Sequence, residues 1–146
     1  YGYTDSPGRR NSGRHGMNAA GFFCSQLLGT SPKSASAWES ARILGDKKSR
    51  HDDLYYVYYA TLALYQHQGP IWQSWNDRLK ETLPLIQKKG GDNAGSWDPS
   101  ASMTGDGGRV ISTALSTLSL EVYYRLLPMY GFRNTEAEPP PVETRE

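Results

Sequence analysis

Five tyrosines, Tyr55, Tyr56, Tyr58, Tyr59 and Tyr65, fall in one short apolar stretch. Their ring faces could line a cavity that stabilises a cation. The alternative is a buried helix rich in tyrosine, whose phenols must then reach partners. Just before them stands His51-Asp52-Asp53, the nearest approach to an acid cluster. A carboxylate there can cap a helix start and favour the positive end of its dipole, and that is the reading adopted. Asp92, Asn93, Asp98 and Asp106 sit in a glycine-rich stretch. Their spacing does not fit an EF-hand loop, and turns commonly use Asp and Asn, so no metal is assigned. Cys24 is the only cysteine. No internal disulfide or multi-cysteine metal site can be built, and within an apolar segment the thiol reads as buried and inert. Gly107-Gly108-Arg109 could hold an anion through backbone amides and the guanidinium, or Arg109 could anchor loop carboxylates. His15 and His67 are isolated and receive no role. No catalytic residue and no cofactor is assigned.

The elements that would carry these residues read as helices. Residues 1–16, with Gly2, Pro7, Gly8, Gly13 and Gly16, read as a loop. From Met17 to Leu28 the chain is apolar on nearly every side, which predicts a buried helix closed by Gly29. Ser36 and Glu39 form a possible capping box for a shorter helix reaching Leu44. Ala37, Trp38, Ala41 and Leu44 make its apolar stripe. Leu54 to Tyr65 is again apolar or aromatic all round, too long without alternation for a strand. Gly69-Pro70 opens the next helix, with Trp72, Trp75, Leu79, Leu83 and Ile86 at helical spacing and Pro84 set to kink or end it. Lys88 to Gly108 is a long loop. A last helix runs from about Val110 to Leu127, its apolar stripe formed by Ile111, Ala114, Leu115, Leu118, Val122 and Leu126. Small hydroxyls at Ser112, Thr113, Ser116, Thr117 and Ser119 permit close backbone approach on its other side. Pro139-Pro140-Pro141 marks residues 133–146 as a disordered Pro/Glu-rich tail.

The order is therefore buried, amphipathic, buried, amphipathic, buried. Helices wrapped on all sides form an inner layer, and half-wet helices cover it. The fold class expected is all-α, about five main helices in two layers, either a toroid or a solenoid. A net charge of +1 gives no argument for a nucleic-acid partner. No apolar run approaches the ~20 residues of a membrane span.

One stretch resembles a known family. Leu83-x-x-x-Gln87 followed by Gly95-Ser96-Trp97 resembles the QW repeat of squalene and oxidosqualene cyclases, with a longer interval between the glutamine and the glycine. Asp53 to Thr61, Trp72-x-x-Trp75-Asn76, Gly95-Ser96-Trp97-Asp98-Pro99, Gly107-Gly108-Arg109 and Leu120 to Arg125 are similar to bacterial squalene cyclase-like and prenyltransferase-repeat proteins. The resemblance covers residues 1–132 and implies an α/α toroid, here a partial ring. It implies a structural role for Gln87, Gly95 and Trp97, and a cavity lined by Tyr55, Tyr56, Tyr59, Trp97, Asp98 and Arg109.

The family's chemistry has no carrier here. A class II cyclase needs a DxDD-like acid, a prenyltransferase a zinc site of Asp, Cys and His, and a thioester domain a Cys-Gly-Glu-Gln run; none occurs. The function expected is a non-catalytic or catalytically incomplete toroid domain, acting as scaffold or binding module for an isoprenoid-like or protein ligand. The alternative is the C-terminal part of a squalene-hopene-like cyclase whose acid lies in other sequence. A third reading is a peptide-binding repeat with its groove on the hydroxyl face of the last helix. An incomplete ring also implies missing repeats or self-association.

Overall fold

The computed structural model describes residues 12–46, 53–99 and 107–126, with the side chains of 12–14 left aside. Among them the chain is all-helical, five helices and no strand: α1 (Ser12–Leu27), α2 (Ala35–Asp46), α3 (Leu54–His67), α4 (Gly69–Ile86) and α5 (Gly108–Arg125). His51, Asp52, Asp106 and the tail 133–146 lie outside the described residues.

The helices form two layers. α3 packs against all four others, whereas α1 and α5 do not touch each other. The inner row is thus α1, α3, α5, backed by α2 and α4, which also touch. Side-chain contacts fix the directions. Gly16 meets Tyr55 near both helix starts, and Gln26 Nε2 donates to the Ala63 carbonyl near both ends at 3.0 Å. Tyr65 Oη donates to the Leu126 carbonyl at the far ends of α3 and α5. The inner helices therefore run parallel. Tyr56 at the start of α3 donates to the Leu44 carbonyl at the end of α2, and Tyr65 near the end of α3 stacks edge-on with Trp72 at the start of α4. The outer helices run the opposite way.

The core lies between the layers. Trp75 is 1 % exposed, and its indole N–H donates to Thr61 Oγ1 at 3.0 Å, whose own hydroxyl donates to the Val57 carbonyl. Each aromatic or branched side chain buried there contributes about 1.5–3 kcal/mol. Asp53 caps α3, its carboxylate accepting from the Tyr56 N–H at 3.1 Å. Gly29, at φ 93°, closes α1: Gly29 N–H bonds to the Gln26 carbonyl and Thr30 N–H to that of Ser25, the paired pattern of a left-handed helix end.

Several expectations need correction. α1 begins at Ser12, not Met17. Gly16 is not a breaker but a packing residue, since a Cβ there would lie 2.7 Å from the Tyr55 ring. Ser34, not Ser36, caps α2: its hydroxyl accepts from Ala37 N–H at 3.2 Å, and Glu39 pairs with Arg42 instead of closing a box. Only α3 has an inner neighbour on each flank and both outer helices behind it. α1 buries one side and leaves Cys24 and Leu28 exposed, so the thiol is not buried. α5 turns its expected stripe part of the way out: Val122 is buried and Leu115 and Leu126 pack against the core, but Ser112, Ser116 and Ser119 are buried too, while Ile111 and Ala114 are exposed. The bulky side of α3 accepts small residues at close range, and that outweighs the apolar stripe. The hydroxyl face is therefore an internal seam, not a peptide groove.

Candidate functional site

The open side of the inner row is an aromatic shelf on α3. Tyr55, Tyr58 and Tyr59 are half-buried. The Tyr55 and Tyr59 rings lie 4.7 Å apart and those of Tyr58 and Tyr59 5.2 Å apart, so three rings run across the helix. Residues at i, i+3 and i+4 share one helix face, which places them together. Burial, then the Tyr59 phenol beside it, pushes the Tyr55 hydroxyl up, so it stays protonated. At the α5 edge a slot of ≈130 Å³ is lined by Tyr58, Leu62, Leu118, Val122, Arg125 and Leu126. Arg125 is held by Glu121 at 3.1 Å. Such a surface offers ring faces and aliphatic walls with one guanidinium at its rim, and no acid among the six residues.

Tyr56 is elsewhere. It is 1 % exposed, faces the outer layer, and its ring meets Trp75 edge-on at 6.1 Å. Burial raises its pKa strongly, so it remains a neutral donor to the Leu44 carbonyl.

Trp97, Asp98 and Arg109 form a second cluster, with Gln87 and Gly95, at the α4–α5 junction. Gln87 Nε2 donates to the Gly95 carbonyl at 2.9 Å. Gly95 N–H bonds to the Lys88 carbonyl and Lys88 N–H to that of Ser96, so the loop folds back on itself. Gly95 has φ 81°, a left-handed conformation suited to glycine. Trp97, 4 % exposed, donates from Nε1 to the Leu83 carbonyl at 2.9 Å, and its backbone N–H donates to Thr113 Oγ1. Lys89 Nζ donates to the Pro84 carbonyl. Two carbonyls orphaned at the end of α4 are thus satisfied from the loop. Asp98 bonds to Lys88 Nζ and Arg109 at 2.7 Å each, and Arg109 also reaches Ser96 Oγ. Those two cations, Lys88 first, hold the Asp98 carboxyl below its ordinary range. Arg109 thus anchors a loop carboxylate. The cluster ties a loop to two helices and leaves the shelf to the tyrosines.

Two features escaped sequence reasoning. His67 is 3 % exposed between the rings of Phe22 (6.2 Å) and Trp38 (5.3 Å), and neither ring nitrogen meets a protein partner. Between α1 and α2 lies a cleft of ≈390 Å³. The signal for it is Ser36 and Ser40 at i, i+4 beside Ile43, on the side of α2 away from the expected stripe. Among the described residues no group of three or more His, Cys, Asp or Glu comes together, and no helix is long and apolar enough to cross a membrane. No family model matches this chain, and no curated protein or solved structure matches it either.

Proposed function

We propose that this chain is a catalytically incomplete α/α-toroid-type domain, akin to squalene cyclase and prenyltransferase repeats, that acts as a scaffold or binding module. The observation that carries the reading is the parallel inner row α1, α3, α5 backed by antiparallel α2 and α4. A two-layer row of this kind is the arc from which helical rings and solenoids are built. The Gln87–Gly95 and Trp97–Leu83 bonds support the likeness to QW elements, which tie neighbouring helices. The tyrosine shelf with its aliphatic slot suits an isoprenoid-like ligand, held by dispersion and ring faces. Asp53 is engaged as a helix cap, which supports binding rather than proton donation.

The test is incubation with squalene-like polyprenes, followed by mass spectrometry. Unchanged polyprene is expected; cyclised product formed at a rate comparable to a cyclase would replace this reading with the enzymatic one. A companion titration with farnesol should show saturable binding, weakened by Tyr59→Ala.

A further inference from the structure

The two halves of α2 are held by different means. Its buried residues are Ala37, Ala41, Leu44 and Gly45, so Leu44 is the large side chain it buries outright. The second half is tied by bonds and close packing. Tyr56 Oη donates to the Leu44 carbonyl at 2.9 Å, Arg78 donates to the Gly45 carbonyl at 2.8 Å, and a Cβ on Gly45 would fall 2.4 Å from Ile71 Cγ2. The first half rests on Trp38, whose half-buried indole stands edge-on to His67 with ring centroids 5.3 Å apart. That pair holds three buried polar atoms with no hydrogen-bond partner among the described residues, Nδ1 and Nε2 of His67 and Nε1 of Trp38. A buried donor or acceptor left unmade costs stability, so the first half is the poorly tied one.

No charged group faces this imidazole. From α1 it meets Phe22; His15 packs on Tyr56 near the start of α3, and Cys24 is exposed. On α2, Glu39 and Arg42 are exposed and paired with each other, Asp46 lies at the far end, and Lys33 before the helix is exposed. α4 opens with Gly69, Pro70, Ile71 and Trp72, and its first charged residues, Asp77 and Arg78, lie beyond Trp75. Within α3, Asp53 caps the opposite end and Tyr65 gives its hydroxyl proton to the Leu126 carbonyl. On α5, Arg125 pairs with Glu121. A protonated His67 would therefore be a buried charge without a counter-ion, and it must reach water.

Two of the surrounding walls are fixed. Gln68, at φ 64° and ψ −167°, is held in a conformation rare outside glycine by its N–H to the Leu64 carbonyl and its side-chain amide to the Tyr65 carbonyl. The end of α3 therefore stays in place. Phe22 is buried, and Gln26 ties the end of α1 to the Ala63 carbonyl. The wall that can yield is α2, because the α1–α2 cleft brings solvent to Phe22 and Ala37 beside the pair.

We propose that the His67–Trp38 contact is a proton-operated latch: protonation of the imidazole frees the first half of α2 to swing off α3 on the turn 28–34, while its second half stays bound to α3 and α4. The tyrosine shelf lies on another face of α3 and keeps its shape, so the latch is independent of the proposed binding role. Burial holds the closed imidazole below its ordinary value of 6.5, and in the open form it regains that value. Opening is therefore indifferent to pH above 6.5. Below it, down to the closed-state value, the open fraction rises by up to about tenfold per pH unit.

The experiment follows the full chain, labelled with fluorotryptophan, by fluorine NMR from pH 8 to 5, with the Trp38 signal identified by Trp38→Phe. That signal should move below pH 6.5 while those of Trp72, Trp75 and Trp97 hold, and in His67→Leu it should stay still. Amide exchange of residues 37–41 in the unsubstituted chain, corrected for the intrinsic effect of pH, should quicken over the same range by up to about tenfold per pH unit. Movement of all the indoles together would overturn the latch, because the core then opens as a whole. A Trp38 signal that stays still down to pH 5, or one that moves equally in His67→Leu, would overturn it too.

Discussion

His67 carries the clearest pH signature among the described residues. Burial alone holds its imidazole below the ordinary value of 6.5, and no charged group contributes to the shift. The folded chain binds this proton less readily than the unfolded one, so unfolding takes up a proton at low pH. The stability it contributes is whole above 6.5 and is lost as the pH falls toward the folded-state value. Urea unfolding between pH 8 and 5 should show a steeper loss for the native chain than for His67→Leu; parallel curves would mean the imidazole charges freely in the fold. Ser116 makes the opposite case. Its hydroxyl is fully buried with no partner, so Ser116→Ala should raise stability by about 1 kcal/mol in the same assay. Neither behaviour was legible in the sequence, where His67 only ends an apolar run and Ser116 is one of five small hydroxyls that permit close approach, with nothing to say which lacks a partner. The tyrosines show why. Tyr55 and Tyr56 are identical in type and adjacent, yet one helical step of about 100° sends one to the shelf and the other into the core.

At the scale of elements, α4 and its loop depend on Trp97. Its indole fills the α4–α5 junction and satisfies the Leu83 carbonyl. Trp97→Phe should cost about 1–3 kcal/mol, through the lost bond to the Leu83 carbonyl and a modest loss of volume, while Trp97→Ala should cost about 3–5 kcal/mol by leaving a larger cavity. Equal losses for the two, read by thermal unfolding, would show that packing contributes little there. Asp53→Ala should cost about 1 kcal/mol through the lost cap of α3. That cap was legible because an Asp stands directly before a long apolar run. The helix starts of α1 and α2 were not. Gly16 reads as a breaker until Tyr55 is seen against it, and Ser36 reads as the cap until the Ser34 hydroxyl is seen to accept from the Ala37 N–H. α5 is read in part for the same reason: Leu115, Val122 and Leu126 of its stripe reach the core, but the surface of α3 also takes in the three serines and leaves Ile111 outside.

For the molecule as a whole, two layers could be inferred because one helix, α3, is apolar all round and must be enclosed. Which inner helix stands at the end of the row could not, because a helix's periodicity does not record how many neighbours it has. α1 and α5 are apolar enough for an inner position, yet each meets α3 on one side only. This asymmetry has a dynamic consequence. α3 buries both flanks and nearly every side chain of its second half, so its amides can exchange only when the core opens. α5 buries three serines and a valine, exposes Val110, Tyr123 and Tyr124, and is joined to α4 at its start by the Trp97 loop and to α3 at its end by Tyr65. It should open in a sub-global step that exposes less surface than full unfolding. Native-state hydrogen exchange in rising urea should then give α3 amides the global slope, and mid-α5 amides a shallower slope with a lower opening free energy. One common slope for all five helices would mean that the row behaves as a single cooperative unit and that its ends are stabilised beyond what their contacts with α3 provide.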